Sequence, residues 1–147
     1  MDVQAELDTP VPPTRLFAEV DDLACYPGWL DIVPRAVPAP PHPDDLGPAW
    51  LVDLRGRFGP LARVKRLRMV RMSHDPPSRV RFERREHDGR SHSPWILTAE
   101  VVPVDGGSRL RMHLHYGGFL FGPLVERLLG DEIERSKPRL LDRFRPA

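Results

Sequence analysis

Cysteine is almost absent from this chain: Cys25 stands alone among 147 residues, which excludes an internal disulfide and any Cys-x-x-Cys pair. A single thiol fits a reducing compartment. As a nucleophile Cys25 would need an electropositive site, whereas its neighbours are Asp21, Asp22, Leu23, Ala24 and Tyr26, so it reads as a small apolar residue. Apolar runs long enough to span a bilayer, about 20 residues, are also missing. Lysine is scarce: the 22 basic residues include only Lys65 and Lys137. Such an arginine bias follows from a GC-rich genome before it speaks of function. A formal net charge of +1 argues against a dominant nucleic-acid field. The opening Met1-Asp2-Val3-Gln4-Ala5-Glu6 carries acids where a secretory leader would carry bases, so the expected location is the cytoplasm.

What is present points to one domain with a real core. A chain of 16.8 kDa should bury about 70% of its unfolded surface, so no metal or disulfide staple is needed. The 18 prolines are more than twice the usual ~5% and act as punctuation. Charge is unevenly spread: residues 1–54 hold 2 basic and 10 acidic side chains, whereas 55–90 hold 12 and 4.

Val3, Ala5 and Leu7 alternate with Gln4, Glu6 and Asp8 as in a half-buried strand. Leu16, Phe17, Val20 and Leu23 then recur at helical spacing, predicting a helix over Pro13–Asp22 with proline in its first turn. A shorter helical turn is expected over Cys25–Leu30. Six prolines between Pro34 and Pro48 permit only an edge strand and an extended loop. Beyond it, turn signals at Gly59-Pro60, Asp75-Pro76-Pro77, Asp88-Gly89 and Asp105-Gly106-Gly107 divide alternating runs, the pattern of an antiparallel meander. One face collects Trp50, Val52 and Leu54, then Val80 and Phe82, then Trp95, Leu97, Ala99 and Val101, then Leu110, Met112, Leu114 and Tyr116. The run from Leu61 to Ser73 alternates poorly and predicts a bulge, with Leu67, Met69 and Arg71 turned inward. Phe121, Leu124, Val125, Leu128, Leu129, Ile133, Leu140 and Phe144 mark a long amphipathic C-terminal helix, expected to bend at Pro138. A helix facing a curved antiparallel sheet is an α+β arrangement.

Two stretches carry a family resemblance. Pro12-Pro13-Thr14-Arg15-Leu16-Phe17-Ala18-Glu19-Val20, followed by Asp22-Leu23-Ala24-Cys25-Tyr26-Pro27-Gly28-Trp29-Leu30, resembles the opening of the polyketide cyclase/dehydrase and lipid-transport family of the START-like superfamily. The strand Ser108–Tyr116 and the Gly-rich approach to the last helix are similar to it as well. The resemblance implies a helix-grip fold: about seven strands wrapped around the terminal helix, two short helices after the first strand, and an apolar cavity between sheet and helix. Its members include cyclases, carriers of hydrophobic ligands and quinone-binding proteins, so fold alone does not settle function.

The inner face supplies the candidate ligand site: Trp50, Val52, Leu54, Phe58, Met69, Phe82, Trp95, Leu97, Leu114 and Tyr116, with Phe121, Val125 and Leu128 from the helix side. Large side chains on such a face also fill cores, which is the plain alternative. Alternation turns Arg71 and Arg84 inward, where a guanidinium needs an anionic or carbonyl partner. Glu132, on the helix stripe, could be that partner, and Tyr116 could hydrogen-bond a carbonyl. These four are the catalytic candidates for a cyclase, with arginine holding an enolate and Tyr116 or Glu132 moving a proton. The alternative is that both arginines reach water near strand ends.

Histidines give no clear site. His113 and His115 share a face, but that face carries Arg111, and no acidic third metal ligand can be placed. His74, His87 and His92 fall near turns and His42 in the proline-rich loop. No metal and no cofactor are implied. The run Gly117-Gly118-Phe119-Leu120-Phe121-Gly122 lacks phosphate-loop spacing. The basic block with Arg63, Lys65, Arg79 and Arg81 reads as the solvated outer face of a sheet, not a nucleic-acid surface.

The reading that follows is a monomeric or homodimeric protein, without stable membrane insertion, that encloses a small hydrophobic ligand such as a polyketide, lipid or quinone. It expects a cavity of roughly 300 Å³ or more. The alternatives are a cyclase-type enzyme and an interaction module whose basic face meets an acidic partner.

Overall fold

Two-residue alternation builds the strands, and cross-strand pairing lines their apolar positions into rows. The computed structural model describes residues 2–58, 61–117 and 123–146, with the side chains of 56–63, 123–126 and 128 outside that description. In chain order the elements are β1 (Asp2–Thr9), α1 (Pro13–Val20), a 3-10 helix (Leu23–Gly28), β2 (Arg35–Pro38), β3 (Ala49–Phe58), β4 (Leu61–Asp75), β5 (Arg79–Arg84), β6 (Trp95–Val104), β7 (Gly107–Tyr116) and α2 (Pro123–Asp142). The strands form one unclosed antiparallel sheet in the order β1-β7-β6-β5-β4-β3-β2, so the first strand lies beside the last. Edge strand β2 is only four residues long and ends in Pro38, which discourages further pairing.

Register explains the core. One inner row runs Val3, Leu114, Leu97, Phe82 and Arg71; the next runs Ala5, Met112, Ala99, Val80 and His74. In β3 and β4, Trp50 opposes Met69, Val52 opposes Leu67 and Leu54 opposes Lys65. The bulge of β4 falls between Arg71 and Ser73. Gly106 takes a φ of +81° at the β6–β7 turn, a conformation glycine adopts without a Cβ penalty. Beside it Thr9 Oγ1 and Ser108 Oγ lie 2.9 Å apart, and Ser108 donates to the Val11 carbonyl at 2.7 Å, satisfying buried hydroxyls where β1 leaves the sheet.

Helix α1 opens with Pro13 and buries Leu16, Phe17 and Val20. It ends at Val20, earlier than the expected Asp22, because the Asp22 carboxylate accepts the Ala24 N–H at 2.9 Å and caps the 3-10 helix instead. That short helix covers Leu23–Gly28 where a turn over Cys25–Leu30 was expected. Helix α2 runs through Pro138 to Asp142, and its end is tied down by Arg143 to Glu19 at 2.8 Å and by an Arg139–Asp31 ion pair. Phe144, also buried, lies beneath the Arg15 guanidinium at 5.5 Å.

Candidate functional site

Three layers meet around an almost wholly apolar cavity of about 120 Å³. The sheet contributes Val3 and Ala5 from β1, Val52 and Leu54 from β3, Leu67 and Met69 from β4, Trp95 and Leu97 from β6, and Met112 and Leu114 from β7. The 3-10 helix and the segment after it supply Leu23, Tyr26, Trp29, Leu30, Ile32 and Val33; α2 adds Leu129, Ile133 and Ser136. The volume is a correction to the roughly 300 Å³ expected, a size typical of drug-sized ligands. It is instead close to an engineered apolar cavity of about 150 Å³ that accepts benzene.

The lining's hydroxyls already donate to the backbone. Tyr26 Oη, buried, donates to the Val20 carbonyl at 2.9 Å, and burial pushes its phenol above the usual tyrosine range. Ser136 Oγ donates to the Ile133 carbonyl at 2.6 Å. The indole N–H groups of Trp29 and Trp95 differ: both are buried, and neither finds an acceptor.

Of the expected ligand-site residues, Val52, Leu54, Met69, Trp95, Leu97 and Leu114 line this cavity. Trp50 and Phe82 pack edge to face at 5.6 Å in the core beside it, and Tyr116 stacks on Trp95 at 5.2 Å without reaching the lining. Phe121 lies outside the described residues, as do the side chains of Phe58, Val125 and Leu128.

Of the four catalytic candidates, Arg71, Arg84 and Glu132 each take a partner other than one another. Arg71 shares the inner row with Phe82, but its guanidinium reaches the Asp21 carbonyl at 3.4 Å, at the α1 end of the sheet. Arg84 also faces inward, opposite Met69, and its partner is Glu86 at 2.5 Å, with a further 3.4 Å contact to the Ser93 carbonyl. Glu132 pairs instead with Arg135 on α2's own surface. Proximity in sequence wins over the expected long-range partner: Glu86 is two residues from Arg84, and Arg135 one helical turn from Glu132.

Several placements depart from expectation. Lys65, expected on the outer face, opposes Leu54 on the inner one and sits 5.8 Å from the Trp95 ring centre, where burial and then Arg84 lower its ammonium pKa. His74 lies at the surface as expected, and there it stacks on Phe17 at 5.7 Å and meets the Asp21 carboxylate at 3.1 Å. The acid near His113 and His115 is Asp2, whose Oδ1 lies 2.8 and 3.1 Å from them across the β1–β7 pairing. The proline-rich loop brings together His42, Asp44 and His87, whose donor atoms lie within 4.8 Å of one another. The two imidazoles stack in parallel with centroids 3.8 Å apart, so their in-plane lone pairs cannot converge on one ion about 2 Å away until a ring turns. Cys25 behaves as expected of an inert thiol: burial, then Asp22 and Glu19, push its pKa up.

The outer basic side chains are largely paired. Arg66 meets Asp53 at 2.8 Å, Arg81 meets Glu83 at 3.1 Å and Arg109 meets Asp8 at 2.6 Å. Among the described residues no helix is long and apolar enough to cross a membrane.

Comparison with known proteins agrees with this architecture. The family model described as polyketide cyclase / dehydrase and lipid transport matches residues 1–144. A START superfamily protein from Mycobacterium smegmatis superposes with a TM-score of 0.70 at 16% identity, over 97% of this chain and 95% of that one. A protein from Chromobacterium violaceum gives 0.69 at 16% identity, over 99% and 98% of the two chains. One from Deinococcus radiodurans gives 0.66 at 14%, over 98% and 99%. Identities this low speak for the fold alone. No curated protein matches the sequence.

Proposed function

Because the chain belongs to the polyketide cyclase / dehydrase and lipid transport family, with the helix-grip fold of START-like proteins, we propose that it binds a compact hydrophobic ligand in the cavity between the sheet, the 3-10 helix and α2. The observation that carries this reading is the lining itself: apolar side chains from five strands and two helices surround open space that a simple core would fill, since interiors normally pack at crystal-like density. The volume matches about one ring or a short branched chain. Binding is favoured over turnover because Arg71, Arg84 and Glu132 each have a partner elsewhere, and the Tyr26 hydroxyl is held by Val20 with a raised pKa.

Native mass spectrometry of the protein purified from its own host tests the proposal. A small molecule should be retained by the natural chain and lost from Leu97→Trp, whose larger side chain would fill the cavity. Bare protein mass from both would count against it.

A further inference from the structure

Two features of the sequence speak against a metal ion at His113 and His115: no acidic third ligand can be placed, and Arg111 shares their face. The structure answers both. Antiparallel pairing sets Asp2 opposite His115 and Gln4 opposite His113, on the outer face and away from the cavity. Asp2 Oδ1 lies 2.8 Å from His113 Nε2 and 3.1 Å from His115 Nδ1, so one carboxylate oxygen touches both rings. The neighbouring arginines are committed elsewhere: Arg111 meets Glu6 at 3.1 Å and Arg109 meets Asp8 at 2.6 Å, which offsets their charge beside an incoming cation.

We propose that Asp2, His113 and His115 bind a divalent ion of the nickel, copper and zinc group through Oδ1, Nε2 and Nδ1, with water in the remaining positions. Imidazole nitrogens suit these ions, and a carboxylate adds the negative charge that a dication needs. Bonds of about 2.1 Å at right angles hold neighbouring donor atoms about 3 Å apart, and the two nitrogen–oxygen distances already match. A carboxylate only accepts, so in the metal-free chain both contacting nitrogens carry protons; a neutral imidazole can hold its proton on its other nitrogen, which turns a lone pair inward. Both rings are more than two-fifths exposed, so their side chains are free to turn and close the gap between them. The ion would tie β1 to β7, the first strand to the last, independently of any ligand in the cavity. The cluster of His42, Asp44 and His87 is the less suitable one, because its rings stack in parallel.

Titration calorimetry of the full chain, without an affinity tag, against nickel chloride tests the proposal. Proton–nitrogen NMR of the imidazoles locates the ion, whose unpaired electrons broaden the signals nearest to it. At up to one equivalent, nickel should broaden His113 and His115 and leave His42, His74, His87 and His92 sharp. His113→Ala, His115→Ala and Asp2→Asn should each weaken binding at least about tenfold, since even outer partners of a metal ligand are worth that much; His92→Ala should stay within about twofold of the natural chain. Magnesium, which prefers oxygen ligands, should give no heat. Absence of nickel binding, broadening of His42 and His87 first, or variants that bind like the natural chain would each overturn the proposal, and none of these results touches the cavity reading. Should a variant fail to fold, the imidazole signals of the natural chain decide the question.

Discussion

Strand β4 carries two different chemistries one residue apart. Its inward Leu67 and Met69 border open space, whereas its outward Arg66 and Arg68 are each committed to a carboxylate. Arg68 donates to both oxygens of Asp45 at 2.7 and 3.0 Å and to the Pro40 carbonyl at 2.9 Å, fastening the proline-rich loop over the outer face. On the same outward phase of the strand Val70 is fully buried. The contrast points to the inner face: the conspicuous charges of the outer face are largely paired with carboxylates, whereas the unfilled apolar space lies on the inner one.

That contrast can be broken from either side. The largest effect should come from Arg68→Ala, which leaves Asp45, only 3% exposed, without its main partner. Losing one member of a buried pair should cost about 3–5 kcal/mol, read by urea denaturation. A loss below about 1 kcal/mol would show the clasp to be incidental. Next, Leu114→Trp should overpack the cavity, lowering stability by about 1–3 kcal/mol and abolishing binding of a small apolar molecule such as benzene by titration calorimetry; retained binding would move the site elsewhere.

Acid should act on the outer face first. Arg68, and to a lesser extent the His42 amide and His87, hold the Asp45 carboxyl well below the usual carboxylate range, while burial partly opposes them. A depressed carboxylate contributes stability that is present above its unfolded value of about 4 and lost as pH falls through the folded one. The natural chain should therefore lose stability below about pH 4, and Asp45→Asn should flatten that part of the curve; identical acid slopes would contradict the assignment. The smallest effect is expected from Arg66→Ala, an exposed pair with Asp53, at under about 1 kcal/mol by the same denaturation assay.

The same contrast marks what could be read before the fold was known. Faces of β3, β5, β6 and β7 were legible because each is buried on one side, where a one-residue slip would expose the whole apolar set. Leu67, Met69 and Arg71 also face as expected, although Val64, 63% exposed, blurs the alternation of β4 and hides the inward Lys65. The 3-10 helix was legible as a motif but not as a cavity wall: Tyr26, Trp29 and Leu30 reach the cavity through tertiary packing that no local period encodes. The partners of Arg84 and Glu132 were missed for a related reason. Strand and helix phase assign a face, but the partner a long side chain takes depends on nearby charges such as Glu86 and Arg135.

The most direct test of the account is a crystal of the natural chain under xenon pressure, since xenon enters dry apolar cavities without needing a hydrogen bond. Xenon should occupy a site enclosed by Leu67, Met69, Leu97 and Ile133, with Trp29 and Trp95 at its wall. A map with xenon elsewhere, and those side chains closed against one another, would contradict it.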